Sequence, residues 1–266
     1  MIGVFDSGVG GLSVWREIVA QLPDESTLYF ADQGHIPYGP RPMLEIRAFS
    51  EAITRFLLEQ GCRIIVVACN AASAAALAYL RATFPAVPFV GMEPAVKPAV
   101  QTTHAGRVGV MATPATFQGE LFASVVERFA RSVQLVRQVC PGLVEQVEAG
   151  RLDTPDTEAL LRKYLEPMMT AGVDTIVLGC THYPFLAPVI QRIVGPGVSV
   201  IDPSPAVARQ VRRVMEQRGL LPASGEPRRV FYTSGDAAAF AETVRQLDAV
   251  SEPAVHPARW EGLRIT

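Results

Sequence analysis

Short apolar runs alternate with longer segments of helical spacing along most of the chain. The runs span residues 2–5, 27–31, 64–68, 89–92, 108–112, 175–179, 198–201 and 230–233. Short unbroken apolar runs are typical of strands buried on both faces, and their alternation with helices is typical of parallel sheets. We therefore predict an α/β fold with mainly parallel sheets.

Four segments have the spacing and the end signals of helices. They cover residues 42–60, 154–171, 203–218 and 236–247. The second segment illustrates the signals, since Thr154 is a suitable N-cap and Pro155 suits the first helical position. Residues 252–266 have no period, and we expect an irregular tail there.

The residue after each apolar run is polar or reactive. These residues are Asp6, Asp32, Cys69, Glu93, Thr113, Cys180, Asp202 and Ser234. Ligands of parallel α/β sheets bind at the carboxyl ends of the strands, so this pattern predicts one functional edge. We expect Asp202 and Ser234 only to cap the next helix. Cysteine is a poor cap, so the alternative for Cys69 and Cys180 is a small buried apolar side chain.

Two pairs of segments repeat each other in layout. The segments "RIIVVACNAAS" (63–73) and "DTIVLGCTHYP" (174–184) each end an apolar run in a cysteine. More loosely, "IGVFDSGVGG" (2–11) matches "VGVMATPATF" (108–117). Such a repeat suggests two related α/β halves, each of which contributes one cysteine to a shared cleft.

Composition excludes several classes of function. Of the 266 residues, 49% are hydrophobic and 19% are charged, which is ordinary for a soluble globular protein. The net charge is −2 without a basic block, so we expect no nucleic-acid partner. No apolar run approaches the ~20 residues of a membrane span, so we expect no membrane partner.

The N-terminus and the cysteines indicate the compartment. The segment "MIGVFDSG" contains an acid at its sixth residue, which does not fit a signal peptide. The cysteines, at positions 62, 69, 140 and 180, are too few and too scattered for a disulfide scaffold. Reduced thiols in a cytoplasm are therefore expected. We expect Cys62 and Cys140 to be inert.

Metal binding finds little support in the sequence. Cys180 and His182 are two residues apart, but a structural zinc site requires four nitrogen or sulfur ligands. The chain contains neither C-x-x-C nor H-E-x-x-H, and the other histidines have no ligand spacing. We therefore expect no metal. A Cys–His hydrolase or acyl transferase remains an alternative, although it would leave the second cysteine without a role.

The glycine-rich segment "DSGVGGLSV" (6–14) follows the first apolar run. It is not a nucleotide-binding fingerprint, and Asp6 would repel a phosphate. A carboxylate or amino-acid ligand fits better. Asp6 would then meet an ammonium or a thiol proton, while Ser7 and the backbone amides would meet an oxyanion.

A reaction that uses both cysteines is inversion of a carbon next to a carboxylate. One base cannot reach both faces of that carbon, so two groups must flank it, one as base and one as acid. Thiols suit this task because their ordinary pKa of about 8.5 is near neutral. Each cysteine precedes a candidate helix start, so we expect the helix dipole to favour the thiolate. His182 would assist Cys180, and Asp6 would assist Cys69.

Six segments together resemble the glutamate racemases of the cofactor-independent aspartate/glutamate racemase superfamily. They are "FDSGVGGLSV" (5–14), "ADQGHIPYGPR" (31–41), "VACNAASAAAL" (67–77), "GMEPA" (91–95), "ATPATF" (112–117) and "LGCTHYPFL" (178–186). The resemblance extends from near residue 1 to about residue 205. It implies inversion of glutamate by two bases without metal, flavin or pyridoxal phosphate.

The resemblance also implies roles for individual residues. Cys69 would take the α-proton from D-glutamate and Cys180 from L-glutamate, with Asp6, His182 and Glu148 assisting. Substrate binding falls to Asp6, Ser7, Asp32, Tyr38, Gly39, Asn70, Ala71, Thr116, Thr181 and His182.

The implied architecture is two similar α/β domains that face each other across a shared active-site cleft. The first would comprise residues 1–94 and 206–266, and the second residues 95–205. The resemblance further implies a cytoplasmic homodimer without a cofactor, whose product D-glutamate supplies peptidoglycan precursors.

Two positions depart from the family pattern. Ala71 stands where the family usually has a threonine, and a lost hydrogen bond typically costs about 0.5–1.5 kcal/mol. The segment "GLVEQVE" (142–148) replaces an aromatic residue and a proline that the family tends to have, which weakens the assignment of Glu148.

Three alternatives stay open at this point. A sister racemase that acts on aspartate or a hydantoin is the nearest. The second is an inactive amino-acid-binding protein, which the alanine at position 71 would suit. The third is the Cys–His hydrolase.

Overall fold

The structure is a computed structural model that describes residues 1–221, 226–247 and 250–266. Its strands are Ile2–Asp6 (β1), Thr27–Ala31 (β2), Ile64–Val67 (β3), Phe89–Gly91 (β4), Arg107–Ala112 (β5), Gln134–Val139 (β6), Thr175–Gly179 (β7), Ser199–Ile201 (β8), Arg229–Thr233 (β9), Ala254–Pro257 (β10), Trp260–Glu261 (β11) and Arg264–Ile265 (β12).

The α-helices connect these strands. They are Leu12–Gln21 (α1), Met43–Glu59 (α2), Asn70–Thr83 (α3), Val96–Thr102 (α4), Pro114–Gln118 (α5), Glu120–Phe129 (α6), Leu143–Glu148 (α7), Pro155–Thr170 (α8), Ala187–Val194 (α9), Ser204–Arg218 (α10) and Ala237–Gln246 (α11). Two short 3₁₀ turns lie at Gln33–His35 and Tyr183–Leu186.

Ten of the strands form two parallel sheets, which confirms the predicted fold class. The first sheet has the order β10-β9-β2-β1-β3-β4, and the second has the order β6-β5-β7-β8. The segment β2-β1-β3-β4 and the whole second sheet therefore have the same topology, in agreement with the internal repeat of the sequence. In both sheets the cysteine strand, β3 or β7, lies beside the strand that begins the repeat.

All eight predicted apolar runs contain a strand, and apart from β8 and β9 these strands bury most of their side chains. The four predicted helices correspond to α2, α8, α10 and α11. Thr154 caps α8 as predicted, and its side chain accepts a hydrogen bond from the Thr157 amide. The Asp202 carboxylate accepts one from the Ser204 amide at the start of α10.

The prediction of an irregular tail is wrong. Residues 254–257 form β10, which pairs in parallel with β9, and β11 and β12 form an antiparallel hairpin. The strand β6 also lacked a clear signal, because it lies at a sheet edge and polar residues interrupt its apolar ones without a regular period. Edge strands of this kind are defined by their neighbour more than by their own apolar pattern.

The strands of the first sheet come from residues 2–91 and 229–257, and those of the second come from residues 107–201. The domain boundaries at 94/95 and 205/206 stay a prediction, and residues 222–225 and 248–249 of the first domain lie outside the described residues. The two sets of elements are in contact, since α3, which follows β3, packs against α5, which follows β5. Among the described residues, no helix is both long and apolar enough to cross a membrane.

Candidate active site

A cavity of about 140 Å³ lies where the carboxyl ends of strands from both sheets meet. Cys69 follows β3 of the first sheet, and Cys180 follows β7 of the second. Both cysteines line this one cavity, and both are buried. The two thiols therefore reach a common space from different sheets.

Cys69 is the N-cap of α3 and has an extended backbone. Its Sγ lies 3.9 Å from the Oγ of Ser7, which also lines the cavity. Burial raises the pKa of the Cys69 thiol well above its ordinary value, and the charge of Asp6 raises it further. The Ala72 amide acts in the opposite direction but is outweighed. The amide at the start of α3 thus favours the thiolate as expected, but burial and Asp6 outweigh it, and the net shift of the Cys69 pKa is upward.

Asp6 ends β1 and lies behind the cavity wall. It is fully buried, and its Oδ2 accepts a hydrogen bond of 2.7 Å from the Gly11 amide. In the described part of the chain, its Oδ1 has no hydrogen-bond partner. Burial raises the pKa of Asp6, although the nearby His182 acts in the opposite direction. A buried carboxyl group with a raised pKa is suited to sharing a proton with a neighbouring thiol.

His182 connects Cys180 to Glu148. Its Nδ1 lies 3.7 Å from the Sγ of Cys180, and its Nε2 lies 2.7 Å from Oε1 of Glu148. Burial alone would lower the pKa of His182, but the hydrogen bonds with Cys180 and Glu148 outweigh burial and raise it well above its ordinary value. The imidazole is therefore held protonated between a carboxylate and a sulfur.

Glu148 is held by three donors. In addition to His182, the Val9 amide donates to Oε1 over 2.7 Å, and the Gln33 side chain donates to Oε2 over 3.0 Å. Burial raises the pKa of Glu148, but the hydrogen bond and the charge of His182 outweigh it, so the net shift is downward. The carboxylate is thus ionised beside an imidazolium.

The glycine-rich loop makes room for these groups. A Cβ atom at Gly8 would lie 2.0 Å from Oε1 of Glu148, and one at Gly10 would lie 2.3 Å from Nδ1 of His182. The expectation that the loop amides meet a bound oxyanion is wrong for Val9 and Gly11. These amides bind the protein's own carboxylates, because the loop packs directly onto the side chains of Glu148 and Asp6.

The structure places most of the predicted substrate-binding residues in the wall of the cavity. Those that line it are Ser7, Tyr38, Gly39, Asn70, Ala71, Thr181 and His182. The Asn70 side chain is buried, and neither its oxygen nor its nitrogen has a partner in the described part of the chain. An unpartnered buried amide beside a cavity indicates a polar ligand.

Asp6, Asp32 and Thr116 do not line the cavity. The hydroxyl of Thr116 lies 3.1 Å from that of Thr113, which does line it. Thr113 is not among the substrate-binding residues predicted from the sequence. Its only sequence signal is its position directly after an apolar run. Cys140, expected to be inert, also lines the cavity.

Asp32 lies at the centre of a hydrogen-bond network behind Tyr38. It accepts from the Tyr38 hydroxyl over 2.6 Å, from the Ser234 hydroxyl over 2.7 Å and from the Trp260 indole over 2.8 Å. The prediction that Ser234 caps the next helix is wrong, since Asp236 does so. The predicted tail and the loop after β9 thus hold the segment that carries Tyr38.

Comparisons with known proteins identify the family to which this chain belongs. The sequence model of the Asp/Glu/Hydantoin racemases matches residues 2–211. The chain belongs to this family. It is 51% identical to the glutamate racemase of Roseiflexus sp. (strain RS-1) over 93% of this chain and 92% of that protein. The chain is an isomerase of the amino-acid racemase class.

Solved structures of racemases have the same fold. Glutamate racemase RacE1 from Bacillus anthracis superimposes with a TM-score of 0.89 at 31% identity, covering 99% of this chain and 98% of that one. The Escherichia coli glutamate racemase, solved with L-glutamate and the activator UDP-MurNAc-ala, gives 0.85 at 30% identity, covering 96% of each chain.

The racemase family model covers both cysteines, Asp6, Glu148 and His182 but ends before β9. The matched residues do not include Thr233, Ser234 and Trp260, whose side chains form hydrogen bonds with Gln33 or Asp32. Within residues 1–221, 226–247 and 250–266, no three histidine, cysteine or acidic side chains are grouped closely enough to hold a metal ion.

Proposed function

We propose that this racemase interconverts L- and D-glutamate by exchanging the α-proton between Cys69 and Cys180. The observation that carries the proposal is the single cavity that both thiols line, one from each sheet. Each thiol has its own proton partner, Asp6 on one side and His182 with Glu148 on the other. Such an arrangement is what inversion by two bases requires.

The raised pKa of Cys69 favours the step that starts from L-glutamate, in which this thiol is the proton donor. The protonated His182, 3.7 Å from the Cys180 sulfur, stabilises negative charge on that sulfur. Cys180 would then accept the α-proton, while the protonated Cys69 delivers its proton to the opposite face of the carbon. The product is D-glutamate.

The reverse step requires the opposite protonation state. Asp6 has a raised pKa beside Cys69 and would take up the proton that Cys69 must lose before it acts as a base. The carboxyl group and the thiol titrate as a coupled pair. The chemistry thus uses only groups of the chain itself.

Substrate binding is proposed for the residues of the cavity wall. The free amide of Asn70 offers a donor to a substrate carboxylate, and Ser7 and Thr181 offer hydroxyls beside the two thiols. Tyr38 contributes its ring and backbone, since its hydroxyl donates to Asp32. Ala71 leaves one wall position without a hydroxyl, and the Thr113 hydroxyl is available in the same cavity.

The cellular role and assembly are part of the same proposal. We propose that the D-glutamate supplies peptidoglycan precursors, which the UDP-MurNAc-ala activator of the Escherichia coli relative supports. Four free, buried cysteines support a reducing, cytoplasmic location. The proposed homodimer rests on the family resemblance, and light scattering on the purified protein would test it.

Circular dichroism on purified protein with L-glutamate tests the proposed reaction. We expect the optical activity to decay to zero and tritium from water to enter glutamate. Label that enters aspartate and not glutamate would move the chain to the sister racemases. An unchanged signal with both amino acids would leave only a binding protein, and a covalent acyl adduct in the mass spectrum would indicate a hydrolase.

A further inference from the structure

Gln33 forms a hydrogen bond with Glu148 but has no part in the reaction proposed above. Its Nε2 donates to Oε2 of Glu148 over 3.0 Å, and its Oε1 accepts from the Thr233 hydroxyl over 2.9 Å. Gln33 lies in the 3₁₀ turn after β2, Glu148 ends α7 and Thr233 ends β9. The side chain therefore connects the first sheet to the helix that carries the carboxylate.

The orientation of the Gln33 amide is determined by its two neighbours. The Thr233 hydroxyl oxygen accepts from the Gly235 amide over 3.0 Å, so its proton is directed to Gln33. The Gln33 oxygen must face that proton, which leaves the amino group for the carboxylate of Glu148. The other oxygen of Glu148 is then free to meet His182.

We propose that Gln33 is a positioning residue for the His182–Cys180 pair, acting by fixing the Glu148 carboxylate. The contacts form one chain of hydrogen bonds from β9 through Gln33, Glu148 and His182 to the sulfur of Cys180. Gln33 thereby keeps the imidazolium beside the thiol and couples β9 to the site. The kinetic consequence rests on the proposed racemisation.

The electrostatic surroundings make an isosteric change informative. The titratable groups around Glu148 are His182 after β7, Asp6 on β1 and Tyr29 on β2, and Asp32 and His35 flank Gln33 in the chain. A glutamate at position 33 would still accept from Thr233. While protonated, it would donate a hydrogen bond to Glu148. Once ionised, it would repel the Glu148 carboxylate.

We therefore expect the variant Gln33→Glu to have a pH-dependent loss of kcat/KM. At pH 6 we expect kcat/KM for glutamate within about threefold of the wild type, and at pH 8.5 about 10- to 100-fold lower, because two carboxylates then repel. The variant Gln33→Leu, which removes the donor without adding charge, should be about tenfold lower at both pH values. Gln210→Glu, at an exposed position on α10, is the matched control.

A substrate-free measurement separates this inference from the proposed function. Iodoacetamide alkylation of Cys180 at pH 7, mapped by mass spectrometry, should be about tenfold slower in Gln33→Leu, since a displaced Glu148 no longer holds His182 beside the sulfur. Circular dichroism and thermal melting establish folding. Wild-type alkylation and wild-type kcat/KM at pH 8.5 in both folded variants would overturn the inference. If the wild type does not exchange the α-proton, the racemase proposal fails and the alkylation profile alone decides about Gln33.

Discussion

Oε1 of Glu148 lies 2.7 Å from Nε2 of His182, although 34 positions separate the two residues in the chain. The pairing brings the end of α7 to the loop after β7, and a third hydrogen-bonded group, the Val9 amide, comes from the other sheet. A carboxylate, an imidazolium and a thiol in this order can hold the sulfur ready for proton transfer. Glu148, whose segment departs from the family pattern, thus contacts His182 directly.

Replacing Glu148 by Gln should shift the pH dependence of the reaction. The carboxylate raises the pKa of His182, so its loss lowers that pKa and the imidazolium disappears at a lower pH. We expect kcat/KM to fall at least tenfold, with its alkaline limb moved to lower pH. Steady-state assays between pH 6 and 9 measure this, with the exposed Glu127→Gln as control. An unchanged profile would contradict the proposed role of Glu148.

Serine in place of Cys69 or Cys180 should separate the two proposed half-reactions. Cys69→Ser and Cys180→Ser should each abolish racemisation, because inversion requires proton transfer on both faces. With a substrate that carries a β-leaving group, Cys180→Ser should still eliminate from the D enantiomer and Cys69→Ser from the L enantiomer. Racemisation near the wild-type rate in either variant would rule out the two-thiol scheme.

Alanine at Gly10 should disrupt the site by steric overlap. Its Cβ would lie 2.3 Å from Nδ1 of His182, so the imidazole or the loop must move. Overpacking of this kind typically costs about 1–3 kcal/mol, and a displaced imidazole no longer assists Cys180. We expect at least a 100-fold loss of kcat/KM, in line with the contribution of one positioned acid or base. Gly197→Ala, where a Cβ meets open space, is the matched control and should behave as wild type.

Restoring a hydroxyl at Ala71 should strengthen substrate binding. This residue lines the cavity, and the added hydroxyl of Ala71→Thr could bond a substrate carboxylate. One such bond is worth about 0.5–1.5 kcal/mol, so KM should fall about 2- to 10-fold with little change in kcat. Ala71→Val has nearly the same shape without the hydroxyl and should not lower KM. Equal effects of the two variants would show that shape, not hydrogen bonding, matters there.

Asp174 should stabilise the fold except in strong acid. Its carboxylate accepts from the Thr103 hydroxyl over 2.5 Å and from the amides of His104 and Ala105. These bonds outweigh desolvation and lower the pKa of Asp174 from 3.8 to about 2. The stabilisation is therefore fully present above pH 3.8 and is lost as the pH falls through about 2.

Urea unfolding of Asp174→Asn tests this account. The group is half-buried, so solvent screens its charge and we expect a loss of only about 1 kcal/mol at pH 7. The difference from the wild type should shrink toward pH 2. A difference that is the same at both pH values would point to packing and not to the charge of Asp174.

The strands buried on both faces could be identified from the sequence because their side chains are apolar without interruption. β6 and β10 could not, since each lies at a sheet edge, buries few of its side chains and has no unbroken apolar run. The hairpin β11–β12 consists of two-residue strands, too short for any period. Its Trp260 indole donates to Asp32, a long-range contact without a local signal.

By itself, the sequence determined the α/β class, the repeated layout and the chemical identity of the reactive groups, because apolar runs and residue types are local properties. Only the tertiary structure decided which groups meet. It brought Cys69 and Cys180 to one cavity, gave the loop amides to Glu148 and Asp6, and placed Asp32 behind Tyr38. It also set the protonation states, since burial and neighbouring charge shift a pKa and both depend on how distant segments pack.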